Sequence, residues 1–144
     1  MKKFAILICL FFLMCSPTTF AQEPNPDLWI IAGKGSDYKC YLYKPDLLKT
    51  EKVYQIYSGH KVVSVWVLFI RNNGEEYKEK KQFYLNPNDA KIRTVEWVEY
   101  DKNGDVTNSG KNDYAQWNSV IPETIGESIH LIVDIWATPW EKTK

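Results

Sequence analysis

The sequence predicts an α+β domain in which an antiparallel β-sheet of about six strands carries a C-terminal α-helix packed on one face. Short apolar segments alternate with a period of two and are separated by Gly, Pro, Asn and Asp residues, which is typical of antiparallel strands. Near the C-terminus the apolar spacing changes to the period of a helix. A helix with one apolar stripe buries that stripe against a sheet, so the two patterns together indicate this class.

The first four predicted strands follow from alternation and from the turn residues that end them. They are "LWIIAG" at 28–33, "DYKCYLYK" at 37–44, residues 53–57 and residues 62–70. We expect Pro45-Asp46 to end the second strand, a turn at 58–61 to join the last two, and Asn72-Asn73-Gly74 to end the fourth. Because segment 62–70 is apolar on both faces, we expect it at the centre of the sheet.

The remaining strands are shorter or more polar. We interpret the charged segment "EEYKEKK" as a turn that leads into a short strand at 82–85. Residues 92–100 and 106–107 predict a hairpin with its bend at 102–104.

The last segment predicts the helix. After Pro122, five apolar residues fall on one helical stripe: Ile125, Ile129, Ile132, Val133 and Trp136. Glu123 and Glu127 suit the positive end of the helix dipole, and Pro139 is expected to end the helix.

The N-terminus has the features of a secretory signal. Lys2 and Lys3 precede an apolar run that Ser16-Pro17 ends, and small residues follow up to Ala21. The run is too short for a membrane-spanning helix, and Met14 argues against lipid attachment at Cys15. We therefore predict a signal peptide at 1–21, a flexible lead at 22–27 and one domain at 28–144, exported to the periplasm, the outer membrane surface or the medium.

Charge and cysteine content narrow the function classes. Without Lys2 and Lys3 the exported chain has 16 basic and 18 acidic residues, a net charge of −2, which gives no electrostatic support for nucleic-acid binding. Cys40 is the one cysteine beyond the signal, so no internal disulfide is expected there, and its alternation with Leu42 favours a buried thiol over an intermolecular bridge.

No motif predicts catalysis, a metal or a cofactor. "DKNGDVTNSG" has Asp101, Asn103 and Asp105 two apart, but its glycine is misplaced for a calcium loop, so a hairpin turn explains it better. Glu96 and Glu99 are interpreted as a solvated sheet face rather than an acid/base pair. With no nucleophile motif and no phosphate loop, we predict that the protein is not an enzyme.

Aromatic residues, at 15%, are the one compositional excess. The phase of the strands and helix assigns four tryptophans to the core: Trp29, Trp66, Trp97 and Trp136. The candidate contact residues are the other two tryptophans and two tyrosines of the second strand: Tyr41, Tyr43, Trp117 and Trp140.

Segment 62–70 is apolar on both faces, but one helix can bury only one face of a sheet. Either the row Val62, Trp66, Leu68 and Ile70 or the opposite row needs a second cover. Curling of the sheet into a half-barrel and a homodimer centred on this strand are the two alternatives.

Taken in order, several segments resemble the bacterial surface-adhesin protein E family over almost the whole exported chain. They are "LWIIAG", "YLYKPD", "VVSVWVLF", "QFYLN", "KIRTVEWVEYDKNGDV" and "WNSVIPETIGESIHLIVDIW". The resemblance implies an exported antiparallel sheet with a C-terminal helix, and an adhesin that binds host matrix or serum proteins. It also implies a strand-to-helix disulfide, yet this chain has Asn86 and residues 134–137 where those cysteines are expected.

These observations predict a non-catalytic binding module of the cell envelope or surface, with a protein as its partner. The alternatives are a periplasmic protein that binds or inhibits an envelope enzyme, and a carbohydrate-binding module that uses exposed tryptophans. The resemblance carries no binding residue across.

Overall fold

A computed structural model describes residues 23–49, 55–57, 60–86 and 88–137 of the chain. These residues form eight strands and two helices. The strands are β1 Trp29–Lys34, β2 Tyr38–Tyr43, β3 Gln55–Tyr57, β4 His60–Arg71, β5 Glu76–Leu85, β6 Lys91–Tyr100, β7 Val106–Lys111 and β8 Asn118–Ser119. The helices are α1 Lys44–Lys49 and α2 Ile125–Ala137. The predicted signal peptide, Pro139 and Trp140 lie outside the described residues.

All strands belong to one antiparallel sheet in the order β1-β2-β4-β5-β6-β7. The 12-residue β4 lies at its centre and has β5 along one side. On its other side β2 pairs with residues 67–71 and β3 with residues 60–62, so two short strands share one long edge. The prediction of segment 62–70 as the central strand is confirmed.

Helix α2 begins with a capping arrangement. Thr124 Oγ1 accepts a hydrogen bond from the backbone N–H of Glu127 at 3.4 Å, and the Glu127 carboxylate accepts one from the N–H of Glu123 at 2.8 Å. These bonds satisfy donors that the first turn leaves free. Gly33 of β1 lets the start of α2 approach, because a Cβ there would overlap the Ile125 side chain.

The core lies between α2 and one face of the sheet. Ile129 and Val133 of α2 are buried against alternate residues of the central strands, among them Val65, Val67 and Phe83. The predicted stripe is thus the buried face, and the α+β prediction with a C-terminal helix on one face of the sheet is confirmed. Among the described residues, no helix is both long enough and apolar enough to cross a membrane.

One local prediction was wrong. The charged segment "EEYKEKK" is not a turn, because β5 begins at Glu76 and pairs with β4 and β6 along its whole length. Its charged side chains alternate between the two faces, so it has strand periodicity without an apolar face. Strand β2 ends at Tyr43, just before Pro45-Asp46, as predicted. The short helix α1 that follows was not predicted, and Pro45 suits its first turn.

The face of β4 that points away from α2 is covered within the chain. Val62, Leu68 and Ile70 are only 5%, 2% and 6% exposed. Leu68 and Ile70 form a small cluster with Tyr41, and Trp29 packs against it. Large side chains of the sheet itself therefore shield these residues of β4 from solvent.

Cys40 lies in the core beneath α2 and is fully buried, as predicted. Burial raises the pKa of its thiol from 9.0 to about 12, with the nearby Lys81 and Glu79 charges acting in opposite directions. The thiol is therefore protonated and inaccessible at neutral pH.

Truncation of the buried helix face should destabilise the fold. We expect Ile129→Ala to lower the free energy of unfolding by about 2 to 5 kcal/mol, because Ile129 is 1% exposed and its removal leaves a cavity. Urea denaturation followed by circular dichroism measures the change. The control Leu131→Ala removes a similar side chain two residues away that is 56% exposed, and it should change stability little. Equal losses in the two variants would contradict the docking of α2.

The buried thiol should make the folded protein less stable at alkaline pH. The folded pKa of about 12 lies above the ordinary thiol value of 9.0, so this contribution to stability is complete below pH 9 and is lost between pH 9 and 12. We expect urea stability to fall from pH 8 to pH 10, and to fall less in Cys40→Ala. In the same pH range, native protein should not react with iodoacetamide until urea unfolds it. Rapid native labelling would disprove the burial.

Candidate functional site

The sheet face opposite α2, here called the helix-free face, is rich in aromatic and basic residues. Cross-strand pairing places Trp66 beside Lys80 and Glu96, and Leu68 beside Tyr41, Lys78 and Val98. A third row contains Ile70, Glu76 and Tyr100. Because directly paired residues project to the same side of a sheet, these three rows form one continuous surface.

A groove of about 390 Å³ crosses this surface. Its lining comes from five strands, β1, β2, β4, β5 and β6, and we call it the aromatic groove. The lining residues are Trp29, Tyr43, Trp66, Lys78, Glu96, Val98 and Tyr100. Four of these seven are aromatic, each is half-buried, and Val98 is the one aliphatic residue among them. Rings that are partly exposed around a concave surface are typical of binding sites.

Contacts within the sheet hold the rings of the groove in place. Trp29 and Tyr43 are paired across β1 and β2, and their ring centroids are 5.1 Å apart at an interplanar angle of 54°. Trp29 also packs against the buried cluster that contains Tyr41 and Leu68. Packing of this kind restricts the rotamers before any ligand arrives, so less conformational entropy is lost on binding.

Two lysine ammonium groups lie over rings of the groove. Lys78 Nζ is 4.5 Å from the centroid of Tyr100, and Lys80 Nζ is 5.8 Å from that of Trp66. Lys78 also pairs with Glu76 at 3.6 Å. An ammonium over a ring face gains electrostatic attraction. The groove therefore presents hydrogen-bond donors close to its aromatic surfaces.

Helix α1 fixes the backbone at Trp66. The ladder on this side of β4 is interrupted, since β3 pairing ends at Val62 and β2 pairing begins at Val67. Asp46 of α1 supplies an acceptor there, and its carboxylate receives the backbone N–H of Trp66 at 3.1 Å. A partly buried donor left unpaired is costly, so Asp46 is a positioning residue for the groove.

A second aromatic arrangement lies farther along the same face. The Arg93 guanidinium is 4.5 Å from the ring centroid of Trp117, whose ring is 6.0 Å from that of Tyr84. Arg93 also donates to Gln82 Oε1 at 2.8 Å and to the Ala115 carbonyl at 3.2 Å. The contact with Arg93, which is itself hydrogen-bonded to Gln82 and Ala115, thus holds the Trp117 ring against the sheet.

The predicted contact residues have different positions. Tyr43 lies in the aromatic groove, whereas Trp117 belongs to the Arg93 arrangement and Trp140 is outside the described residues. Tyr41 was expected to be exposed, but it is only 6% exposed because it packs into the cluster beside Trp29.

The four residues of the proposed self-association strand also differ in their exposure. Its row Val62, Trp66, Leu68 and Ile70 faces away from α2, and Trp66 alone of the four is half-buried and lines the groove. Trp29 and Trp66, assigned to the core by strand phase, contribute surface to the groove instead.

Sequence reasoning missed Tyr100, Lys78 and Val98 as neighbours of these rings. The phase of Val98 and Tyr100 in β6 was readable, but Lys78 lies in the segment read as a turn, so the register between β5 and β6 was undefined. Because part of β5 was read as a turn, the groove residues of β4 and those of β6 were not recognised as neighbours.

The other cavities suggest no chemistry. One of about 290 Å³ combines Arg71 with carboxylates such as Glu75 and Asp101 at the turn end of the sheet. Another, of about 350 Å³, is lined by residues that include Asn86 and Asp134. Within the described ranges, no group of three or more His, Cys, Asp or Glu side chains is arranged to hold a metal ion.

A half-buried polar cluster lies on the α2 side of the sheet. Lys81 and Glu79 form an ion pair at 2.5 Å, and Thr94 Oγ1 lies 2.9 Å from each of them. Tyr77 donates to Glu79 at 3.3 Å, and burial raises the pKa of Tyr77 to about 12. Each charge has a partner, as buried ions require.

No family model, no curated protein and no solved structure matches the chain.

The role of Asp46 can be measured. We expect Asp46→Ala to lower the free energy of unfolding by about 1 to 3 kcal/mol, because it leaves the Trp66 N–H unpaired. Near-ultraviolet circular dichroism should also change as the Trp66 ring loses its fixed position. Asp46→Asn keeps an acceptor oxygen at the same place and should preserve most of both properties. Identical behaviour of the two variants would show that this hydrogen bond does not position Trp66.

Proposed function

We propose that this chain is an exported, non-catalytic binding protein that engages its partner through the helix-free face. The aromatic groove is the single observation that carries this proposal. It combines four half-buried rings with a rim of charged side chains, on the one sheet face that no helix covers among the described residues. Tyrosine and tryptophan with partial exposure are enriched where proteins bind one another.

The chemistry of the lining favours binding over catalysis. None of the described lining residues is Ser, Thr, Cys or His, the side chains that most often act as nucleophile or general base. Glu96 is the groove's one carboxylate, and its partners on the two neighbouring strands are Lys80 and Lys111. Stacking and hydrogen bonding are what such a surface offers.

We propose a protein of the surroundings as the partner, with the chain at the cell surface as an adhesin. The resemblance to the surface-adhesin protein E family supports this choice, as does the apolar N-terminal run with the features of a secretory signal. A periplasmic protein that binds or inhibits an envelope enzyme is the second candidate. Location separates the two, because external protease on intact cells reaches an adhesin and does not reach a periplasmic protein.

Removal of groove rings should weaken adhesion. We expect Trp66→Ala and Tyr43→Ala each to weaken binding to immobilised matrix or serum proteins by about tenfold or more, as for central aromatic residues of interfaces. Biolayer interferometry with the folded variants measures the loss. The control Tyr114→Ala removes a tyrosine that is 94% exposed in the loop after β7, and it should bind normally. Unchanged binding in both groove variants would refute the helix-free face as the binding surface.

A further inference from the structure

We infer that the aromatic groove recognises an acidic glycan, a pyranose chain with carboxylate or sulfate substituents, carried by the partner glycoprotein. This inference rests on the proposed function, since it names the group that the helix-free face binds. Three properties of the groove support it: the type of apolar surface, the charges at its rim and its shape.

The apolar surface of the groove consists mainly of ring faces. Trp29, Tyr43, Trp66 and Tyr100 contribute rings, whereas Val98 is the one aliphatic residue in the lining. Anchor side chains of protein partners fill well-packed pockets that exclude water. Flat, half-exposed rings instead match the flat C–H face of a pyranose, which stacks on an aromatic ring while its hydroxyl groups stay at the edge.

The rim supplies both kinds of hydrogen-bonding group. Glu96 accepts, and the ammonium groups of Lys78 and Lys80 donate, which suits hydroxyl groups that do both. Lys80 contacts the ring of Trp66 and forms no ion pair with any described carboxylate. An ammonium without a carboxylate partner, next to a stacking surface, favours a ligand that brings its own negative charge.

The helix-free face as a whole has more basic than acidic strand residues. The strand residues that share it by pairing include seven basic ones, Lys34, Lys39, Lys78, Lys80, Lys91, Arg93 and Lys111. Only two acidic strand residues share it, Glu76 and Glu96. Some of the lysines are paired with carboxylates outside the strands, such as Lys91 with Asp89 at 2.6 Å. A ligand that approaches the groove still meets an excess of cations on the sheet.

The shape fits a chain rather than a compact ligand. The groove has a volume of about 390 Å³, and its lining residues come from five strands side by side in the sheet. A short stretch of sugar rings can lie across the strands, with Trp29 and Tyr43 on β1 and β2, Trp66 on β4 and Tyr100 on β6.

Calorimetric titration with two defined oligosaccharides tests this inference. A hyaluronan hexasaccharide alternates uronic acid with N-acetylglucosamine, and chitohexaose is its neutral counterpart. We expect the wild-type protein to bind the acidic oligosaccharide at least about tenfold more tightly, with an affinity that falls as salt is added. Tryptophan fluorescence should change on binding, because Trp29 and Trp66 line the groove.

Matched variants locate the interaction. Trp66→Ala should weaken hyaluronan binding by about tenfold, and Lys80→Gln should reduce the preference for the acidic oligosaccharide by about the same factor. Lys102→Gln removes an exposed lysine at the β6–β7 turn and should leave both affinities unchanged. Failure of hyaluronan and of a sulfated heparin hexasaccharide to bind, or equal binding by Lys80→Gln, would overturn the inference.

A second measurement separates this inference from the proposed function. If binding to a matrix glycoprotein survives enzymatic removal of its glycans but is lost in Trp66→Ala, the groove binds protein and the glycan inference fails alone. If Trp66→Ala affects neither ligand, both fail. Sedimentation velocity at micromolar concentration tests whether a second copy of the chain fills the groove instead. A dimer that Trp66→Glu dissociates would show this and would also overturn the inference.

Discussion

The architecture depends on one constraint, the need to cover both faces of the central strand β4. Val63, Val65 and Val67 point to one side, whereas Val62, Leu68 and Ile70 point to the other, and all six are buried. Helix α2 covers the first row with Ile129 and Val133. It cannot reach the second row, because a single helix lies on one side of a sheet. The second row is covered by side chains that the sheet itself provides.

That solution also produces the candidate site. Side chains large enough to cover a neighbouring strand from within the same sheet are aromatic or long and charged, and those are the residues found here: Trp29, Tyr41 and Lys78. Tyr41 is buried in providing this cover, while Trp29 and Trp66 keep part of their surface exposed. A face that is covered by rings rather than by a helix stays open to a ligand. Stability and the proposed binding therefore depend on the same residues.

The sequence predicted the parts of the fold that have a periodic signature. The doubly apolar segment 62–70, the hairpin bend at 102–104 and the stripe of α2 were all readable, because each combines an apolar period with a clear turn or cap. Strand β5 was half missed, since residues 76–81 are charged on both faces and resemble a turn. Helix α1 was missed because six residues provide too little periodicity. The groove needs the register between β4, β5 and β6, which no local pattern contains.

Net charge illustrates the same limit. A chain with nearly equal numbers of acidic and basic residues gives no sign of an anionic partner. Pairing register nonetheless collects Lys78, Lys80 and Arg93 on one face, while Glu79 and Glu99 project to the other. Since exposed charges act over about 10 Å in salt solution, a ligand responds to the charge of the face that it meets rather than to the total. Alternation along strands can thus separate charges that composition averages to zero, and in this chain it does so at the only sheet face left uncovered by a helix among the described residues.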